Sequence, residues 1–163
     1  MLRLVLFRHA KSSWSNADLS DFERPLNTRG RENTPRMADE LKPFLKGKFQ
    51  VISSPACRAA TTARLAVHQW KLTEAAIQYE SALYHASKET IWKLIRQQNP
   101  SHQTIILFGH NEGLTELASS CSKSVIEHLP TAGVAVFDFN KEAWSAIQVK
   151  DAQLVNFNYP KKG

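Results

Sequence analysis

Leu2, Leu4, Val5, Leu6 and Phe7 form an apolar run that passes directly into Arg8 and His9, and this stretch limits the possible folds more than any other. The run has the length of a buried strand. It ends without a spacer in two side chains rich in chemistry, and Ala10-Lys11-Ser12-Ser13 reads as the loop that follows. In open α/β sheets ligands bind beyond the carboxyl ends of the strands. An Arg-His pair there faces a pocket. Arginine supplies a planar fork of donors for phosphate or carboxylate, and histidine does nucleophilic or acid–base work near neutral pH.

The rest of the chain repeats this grammar. Residues 11–26 are polar and irregular, a loop long enough to suggest function. Asn27 and Thr28 can cap a helix running to about Leu45, with Met37, Leu41, Phe44 and Leu45 as its apolar stripe and Pro35 inside it. Phe49–Ile52 reads as a second strand. Ser54 as cap and Pro55 at the first helical position predict a helix through Trp70, with Arg58 in its first turn. Ala76–Tyr79 is a weak strand. Ser87 caps a helix from Lys88 to Gln98, which Asn99-Pro100 ends. Thr104–Phe108 is the most hydrophobic strand, hence central, and Gly109-His110 follows it. Glu112–Cys121 is the next helix. Val134–Phe139 and Trp144–Val149 predict a hairpin, and residues 154–163 read as a loose tail.

A chain of 163 residues with 42% hydrophobic and 22% charged residues suits a single domain spanning 1–163 with a real core. The net charge of +6 favours an anionic partner. No basic run is interleaved with aromatics, and Lys161-Lys162 is too short for a nucleic-acid arm, so a nucleic-acid partner is not expected. No segment approaches the ~20 apolar residues of a membrane span. Cys57 and Cys121 form neither a disulfide framework nor a metal motif, which fits a reduced, cytoplasmic protein.

Strand ends therefore carry Arg8-His9, Arg58 (one step into a helix) and His110. In a doubly wound sheet these ends can converge. Two arginines and two histidines make a cationic pocket suited to a phosphoryl group, held by bidentate arginine contacts. A histidine nitrogen in line with phosphorus could accept that group and pass it to water, and the other positive groups would stabilise the transition state. The scheme needs no metal and no other cofactor. No close-spaced ligand set for zinc and no G-x-S-x-G elbow is present. Ser12 could add a donor to the phosphate.

Leu6-Phe7-Arg8-His9-Ala10 resembles the R-H-G/A signature of the histidine phosphatase (phosphoglycerate mutase-like) superfamily. Residues Ser53 to Ala63 resemble its second motif and Gly109-His110-Asn111 its third, in order across residues 4–139. The short chain, Lys11-Ser12-Ser13-Trp14, Arg24-Pro25-Leu26-Asn27-Thr28-Arg29-Gly30 and Leu129-Pro130-Thr131-Ala132-Gly133 look like the SixA-type phosphohistidine phosphatase branch. The resemblance implies a three-layer α/β/α sandwich with a mostly parallel central sheet. It also implies that His9 is a nucleophile that becomes phosphorylated, with Arg8, Arg58 and His110 as the phosphate pocket. The implied substrate is a phosphohistidine-bearing protein or a small phosphorylated molecule.

The chain departs from the mutase-like pattern at the general acid. His85 falls where a Glu is usual, and Glu80 is out of register. Asp18 and Asp21 lie in the polar loop after His9 and could fold over the pocket. His85 could donate a proton only while charged beside two arginines. No dedicated acid is the favoured reading, and a leaving group that needs little proton donation, such as the imidazole of phosphohistidine, tolerates its absence. A broad small-molecule phosphomonoesterase and a non-catalytic phosphate-binding module are the alternatives. The intact His9 argues against the module, since binding alone needs no nucleophile.

Overall fold

Strand β1 (Leu2–Arg8) is unbroken apolar sequence from Leu4 to Phe7, and Arg3, half-buried near its start, is paired with Asp138 of the neighbouring strand at 2.7 Å. Leu2, Leu4 and Leu6 enter one core layer, whereas Val5 and Phe7 enter another on the opposite face. A strand covered on both faces has no solvent side to mark with polar residues. The computed structural model describes residues 1–124 and 126–161.

After β1 the elements are α1 (Thr28–Leu41), β2 (Phe49–Ser53), α2 (Cys57–Gln69), β3 (Ile77–Tyr79), α3 (Lys88–Arg96), β4 (Thr104–Gly109), α4 (Gly113–Cys121), β5 (Val134–Phe139) and β6 (Gln153–Asn158). The six strands lie in the order β3-β2-β4-β1-β5-β6. β1 through β4 pair in parallel, β5 runs against β1, and β6 runs against β5. The sheet is therefore mostly parallel. Ile105 and Leu107 of β4 join the core under α3 and α4, and Ile106 and Phe108 join the core under α1 and α2. Phe7 and Phe108 stack with ring centroids 4.7 Å apart, tying the two central strands together just before their chemical ends. No described helix is long and apolar enough to cross a membrane.

The sequence reading needs three corrections. The helix expected to run to Leu45 ends as α-helix at Leu41 and closes in a 3-10 turn at Lys42–Phe44. The expected strand Trp144–Val149 contains a 3-10 turn at Trp144–Ala146 and another beginning at Val149. Trp144 is fully buried, and its indole donates to the His102 carbonyl at 2.8 Å, so it plugs the core instead of pairing. The true partner of β5 is β6, drawn from the segment expected to be a loose tail; residues 162–163 of that tail lie outside the described residues.

The long polar loop after β1 is closed at its base. Ser12 and Leu26 form an isolated antiparallel bridge, Ser13 N–H donates to the Pro25 carbonyl at 2.8 Å, and Asn27 N–H donates to the Lys11 carbonyl at 2.9 Å. Asn27 then caps α1 by accepting from Gly30 N–H at 2.8 Å. At Gly30 a Cβ would collide with the Lys11 carbonyl oxygen, so only glycine lets this loop base lie on the helix.

Candidate active site

β1 and β4 run in register to the same edge, pairing Arg8 with Gly109, which brings the next residues, His9 and His110, side by side. Their ring centroids are 5.3 Å apart. Arg58 joins them from the first turn of α2. Arg8, His9, Arg58 and His110 all line one cleft of about 300 Å³, with Lys11, Ser12, Trp14, Arg24, His85, Asn111 and Thr131. The four residues singled out by sequence thus share a single cleft. Asp18 is exposed and does not line it.

Each group is oriented by a partner. His9 Nδ1 lies 2.8 Å from the Ala10 carbonyl oxygen. That oxygen can only accept, so Nδ1 carries the ring proton and Nε2 of the neutral ring keeps its lone pair. Ala10 N–H is held in turn by Thr62 Oγ1 at 2.9 Å. His110 Nε2 pairs with Ser54 Oγ at 2.8 Å. Ser54 is therefore not the cap of α2: the residue before the helix is Ala56, and the Ser54 hydroxyl takes Ala56 N–H at 3.2 Å while serving His110.

Arg8 Nη1 donates to the Leu129 carbonyl at 3.1 Å, to which Asn111 Nδ2 also donates at 3.0 Å. Ala132 N–H donates to the His9 carbonyl and Arg8 N–H to the Gly133 carbonyl, each at 3.0 Å. The Leu129–Gly133 segment thereby clamps the end of β1.

Burial sets the charge states of the two histidines. His9 is 6% exposed and His110 4% exposed. Desolvation is the main cause that pushes each down to about 3, reinforced for His9 by Arg8, Arg58 and Arg24 and for His110 by His9 and Arg58. Both rings are neutral at physiological pH. Burial also lowers the Arg8 guanidinium from its usual range.

Asp21 is not part of the cleft lining, but it binds two of the arginines that are. Its Oδ2 accepts from Tyr84 Oη at 2.6 Å and Arg58 Nη2 at 3.1 Å, and its Oδ1 accepts from Arg24 Nη2 at 3.2 Å and Nε at 3.3 Å. Arg58 Nη1 also donates to the Asp21 backbone carbonyl at 2.7 Å. The Tyr84 hydroxyl, then Arg58 and Arg24, hold the Asp21 carboxyl well below the usual carboxylate range. A carboxylate held ionised by these donors has no proton to give, which accords with the favoured reading of no dedicated acid and makes Asp21 a clamp on Arg58. His85 lines the cleft with an exposed side chain, its Nε2 3.4 Å from Asp21 Oδ2 and its ring tilted by 35° against Tyr84 at 4.0 Å between centroids.

Arg24, Tyr84 and Ser54 belong to this site although sequence reasoning gave none of them that place. Arg24 Nη1 donates to Ser12 Oγ at 2.8 Å, and its guanidinium lies 3.5 Å from the Trp14 ring centroid, a cation–π contact. The signal in the sequence is the segment from Arg24 to Gly30, whose motif by itself assigns Arg24 no role.

Three buried side-chain nitrogens have no hydrogen-bond partner among the described residues: Arg8 Nε, Arg58 Nε and His110 Nδ1. Each such group left unsatisfied costs ~1–3 kcal/mol. All three belong to the quartet around this cleft, so the cleft keeps unspent hydrogen-bonding capacity that suits an anion.

This sheet, with arginines and neutral histidines gathered at its carboxyl edge, defines a phosphatase. The chain belongs to the histidine phosphatase superfamily: the model of branch 1 of that superfamily matches residues 4–88. An uncharacterized chloroplastic protein of Arabidopsis thaliana is 29% identical over 150 residues, covering 87% of this chain and 68% of its own. Among solved structures, SixA of Agrobacterium tumefaciens, assigned as a phosphohistidine phosphatase, superposes with a TM-score of 0.79 at 26% identity, covering 98% of this chain and 99% of that one. The protein histidine phosphatase SixA in complex with tungstate has the same fold, with a TM-score of 0.78 at 17% identity over 96% of each chain.

Proposed function

We propose that this phosphatase removes the phosphoryl group from phosphohistidine in a protein, using His9 as the nucleophile. The observation that carries the reading is the fixed tautomer of His9. With Nδ1 donating to the Ala10 carbonyl, Nε2 is the nitrogen with a free lone pair, on a ring that stays neutral. Nε2 attacks phosphorus in line, forming the P–N bond to His9 as the bond to the leaving group breaks. Water then attacks phosphorus, the P–N bond to His9 breaks, and phosphate departs with His9 neutral again. Arg8, Arg58 and His110 donate to the non-bridging oxygens throughout. In the tautomer in which the Ser54 hydroxyl donates to His110 Nε2, the proton of His110 is on Nδ1, which has no hydrogen-bond partner among the described residues and is free to donate to the phosphoryl group. Ser12 and Arg24 complete the donor wall.

We read the substrate class from the make-up of the cleft. Asp21 is committed to Arg58, Arg24 and Tyr84, Asp18 does not line the cleft, and no carboxylic acid among the described residues does. An alkoxide needs such an acid. A phosphorylated imidazole does not, because its second nitrogen holds a proton near neutral pH and it leaves as neutral imidazole. The likeness to the Agrobacterium protein supports the same substrate class.

The test is a panel of phosphohistidine peptide, phosphoserine peptide, sugar phosphate and aryl phosphate, with His9→Ala as control. Phosphohistidine and aryl phosphate are expected to turn over, with an acid-labile, base-stable label on His9. A fully active His9→Ala protein, or label on serine or cysteine, refutes the nucleophile. Equal turnover of sugar phosphates makes the enzyme a broad phosphomonoesterase instead.

A further inference from the structure

A groove of about 530 Å³ runs away from the catalytic cleft, and the two share Lys11 and Thr131 as a common wall. Arg29, at the start of α1, and Lys161, beyond the end of β6, also line it. Its described lining therefore holds three cations, Lys11, Arg29 and Lys161, and no carboxylate. Lys11, Arg29 and Lys161 are all exposed. The groove also has an apolar wall, from Pro130, Pro160 and Tyr159, the last 43% exposed.

We propose that this groove binds an acidic segment of the phosphoprotein substrate, the stretch of polypeptide next to the phosphorylated residue. The inference rests on the phosphohistidine reading and names the partner chemistry of the same site. The geometry favours a polypeptide. The catalytic donors sit inside a cleft that admits a phosphorylated side chain, whose own backbone stays at the mouth. On one side the chain passes over Lys11 and Thr131 and so enters the groove. Tyr159 and the two prolines offer a flat apolar surface to a backbone, and the cations select carboxylate side chains beside it. An aryl phosphate in the cleft reaches none of Arg29, Tyr159 or Lys161, which are absent from the cleft lining.

The probes are two fluorescent peptides bearing a stable phosphoryl-triazole mimic of phosphohistidine, one flanked by Glu and Asp and one flanked by Ser and Asn. Binding is read by anisotropy with the otherwise intact full chain carrying His9→Ala, alone and combined with Arg29→Glu and Lys161→Glu. The acidic-flank peptide is expected to bind about tenfold more tightly at low salt. The charge reversals should abolish that preference and leave the neutral-flank affinity unchanged. In the His9 background, Arg29→Glu with Lys161→Glu should keep its aryl phosphate kcat/KM, which also shows that it folds. Equal binding of the two peptides, or a preference that survives the reversals, overturns the groove. Turnover of authentic phosphohistidine peptides is read separately. Its absence removes the phosphohistidine reading, while the flank preference stands or falls on the binding data.

Discussion

Replacing Asp21 by Asn should cost about one order of magnitude in kcat/KM for an aryl phosphate, and the pattern of loss identifies what Asp21 does. The carboxylate accepts from Arg58, Tyr84 and Arg24, while Arg58 keeps a second tie to the Asp21 backbone carbonyl at 2.7 Å. An amide of the same shape has one accepting oxygen and one donating nitrogen. It can serve the Arg24 side or the Arg58 side, not both. The net loss is one charge-assisted contact to an arginine, worth ~1.5–3 kcal/mol. The Asp21 side chain is 40% exposed, so solvent screening favours the lower end of that range. About 1.4 kcal/mol is tenfold in rate. The assay is kcat/KM across aryl phosphates of graded leaving-group pKa, with Arg58→Ala and the double variant completing a cycle. A clamp predicts the same loss for every leaving group, and a double variant no worse than Arg58→Ala alone. A loss that grows as the leaving group becomes more basic makes Asp21 the general acid and refutes the clamp. Wild-type activity in Asp21→Asn shows that the backbone contact alone positions Arg58.

Arg58→Ala should lose at least about tenfold in kcat/KM, from one charge-assisted phosphate contact, whereas Lys42→Ala, which removes only an exposed ion pair with Asp39, should not; equal activities would show that Arg58 does not meet substrate. Stability should rise with pH between about 3 and about 6.5. The buried His9 and His110 stay neutral down to about 3, while the unfolded chain takes up their protons from about 6.5, so the fold is fully stabilised above that pH and loses stability as pH falls. Each histidine contributes a limiting slope of ~1.4 kcal/mol per pH unit, and denaturant titrations at pH 7, 6 and 5 that show no decline would contradict the burial argument. Gly30→Ala should destabilise the protein by ~1–3 kcal/mol, the cost of overpacking, because the new methyl meets the Lys11 carbonyl; an unchanged melting temperature would mean that the loop base is free to move.

The residues that were legible in the sequence are those that local pattern controls. β1, β4 and β5 are rich in apolar residues because both faces are covered, and the polar Arg3 of β1 and Asp138 of β5 are paired with each other. Arg8, His9 and His110 could be found because each follows such a run directly, and Arg58 because it opens the helix after β2. β6 escaped notice for the opposite reason. Gln153, Leu154 and Val155 are exposed at the sheet edge, where backbone pairing needs no apolar periodicity. Trp144 misled because a lone buried indole resembles strand hydrophobicity, although its environment is a turn. Arg24, Tyr84 and the clamp role of Asp21 depend on the path of a 3-10 turn at Asp21–Glu23 and on contacts spanning up to 63 positions, which no local window contains. Ser54 was visible as a helix-start residue, but its tertiary partner decided its use.

The closed base of the loop after β1 has a practical meaning for engineering. Because residues 11–13 and 25–27 are already bonded to each other, the stretch between them behaves as an exchangeable cassette whose two ends need no redesign. Its content is not neutral, however. Trp14, Asp21 and Arg24 all travel with it, and Arg58, fixed on the scaffold, takes its orientation from Asp21. A transplanted cassette that alters the substrate range while keeping the turnover machinery must therefore bring a carboxylate to the same spot. Libraries built on this scaffold should hold Asp21 and Arg24 constant and vary the rest.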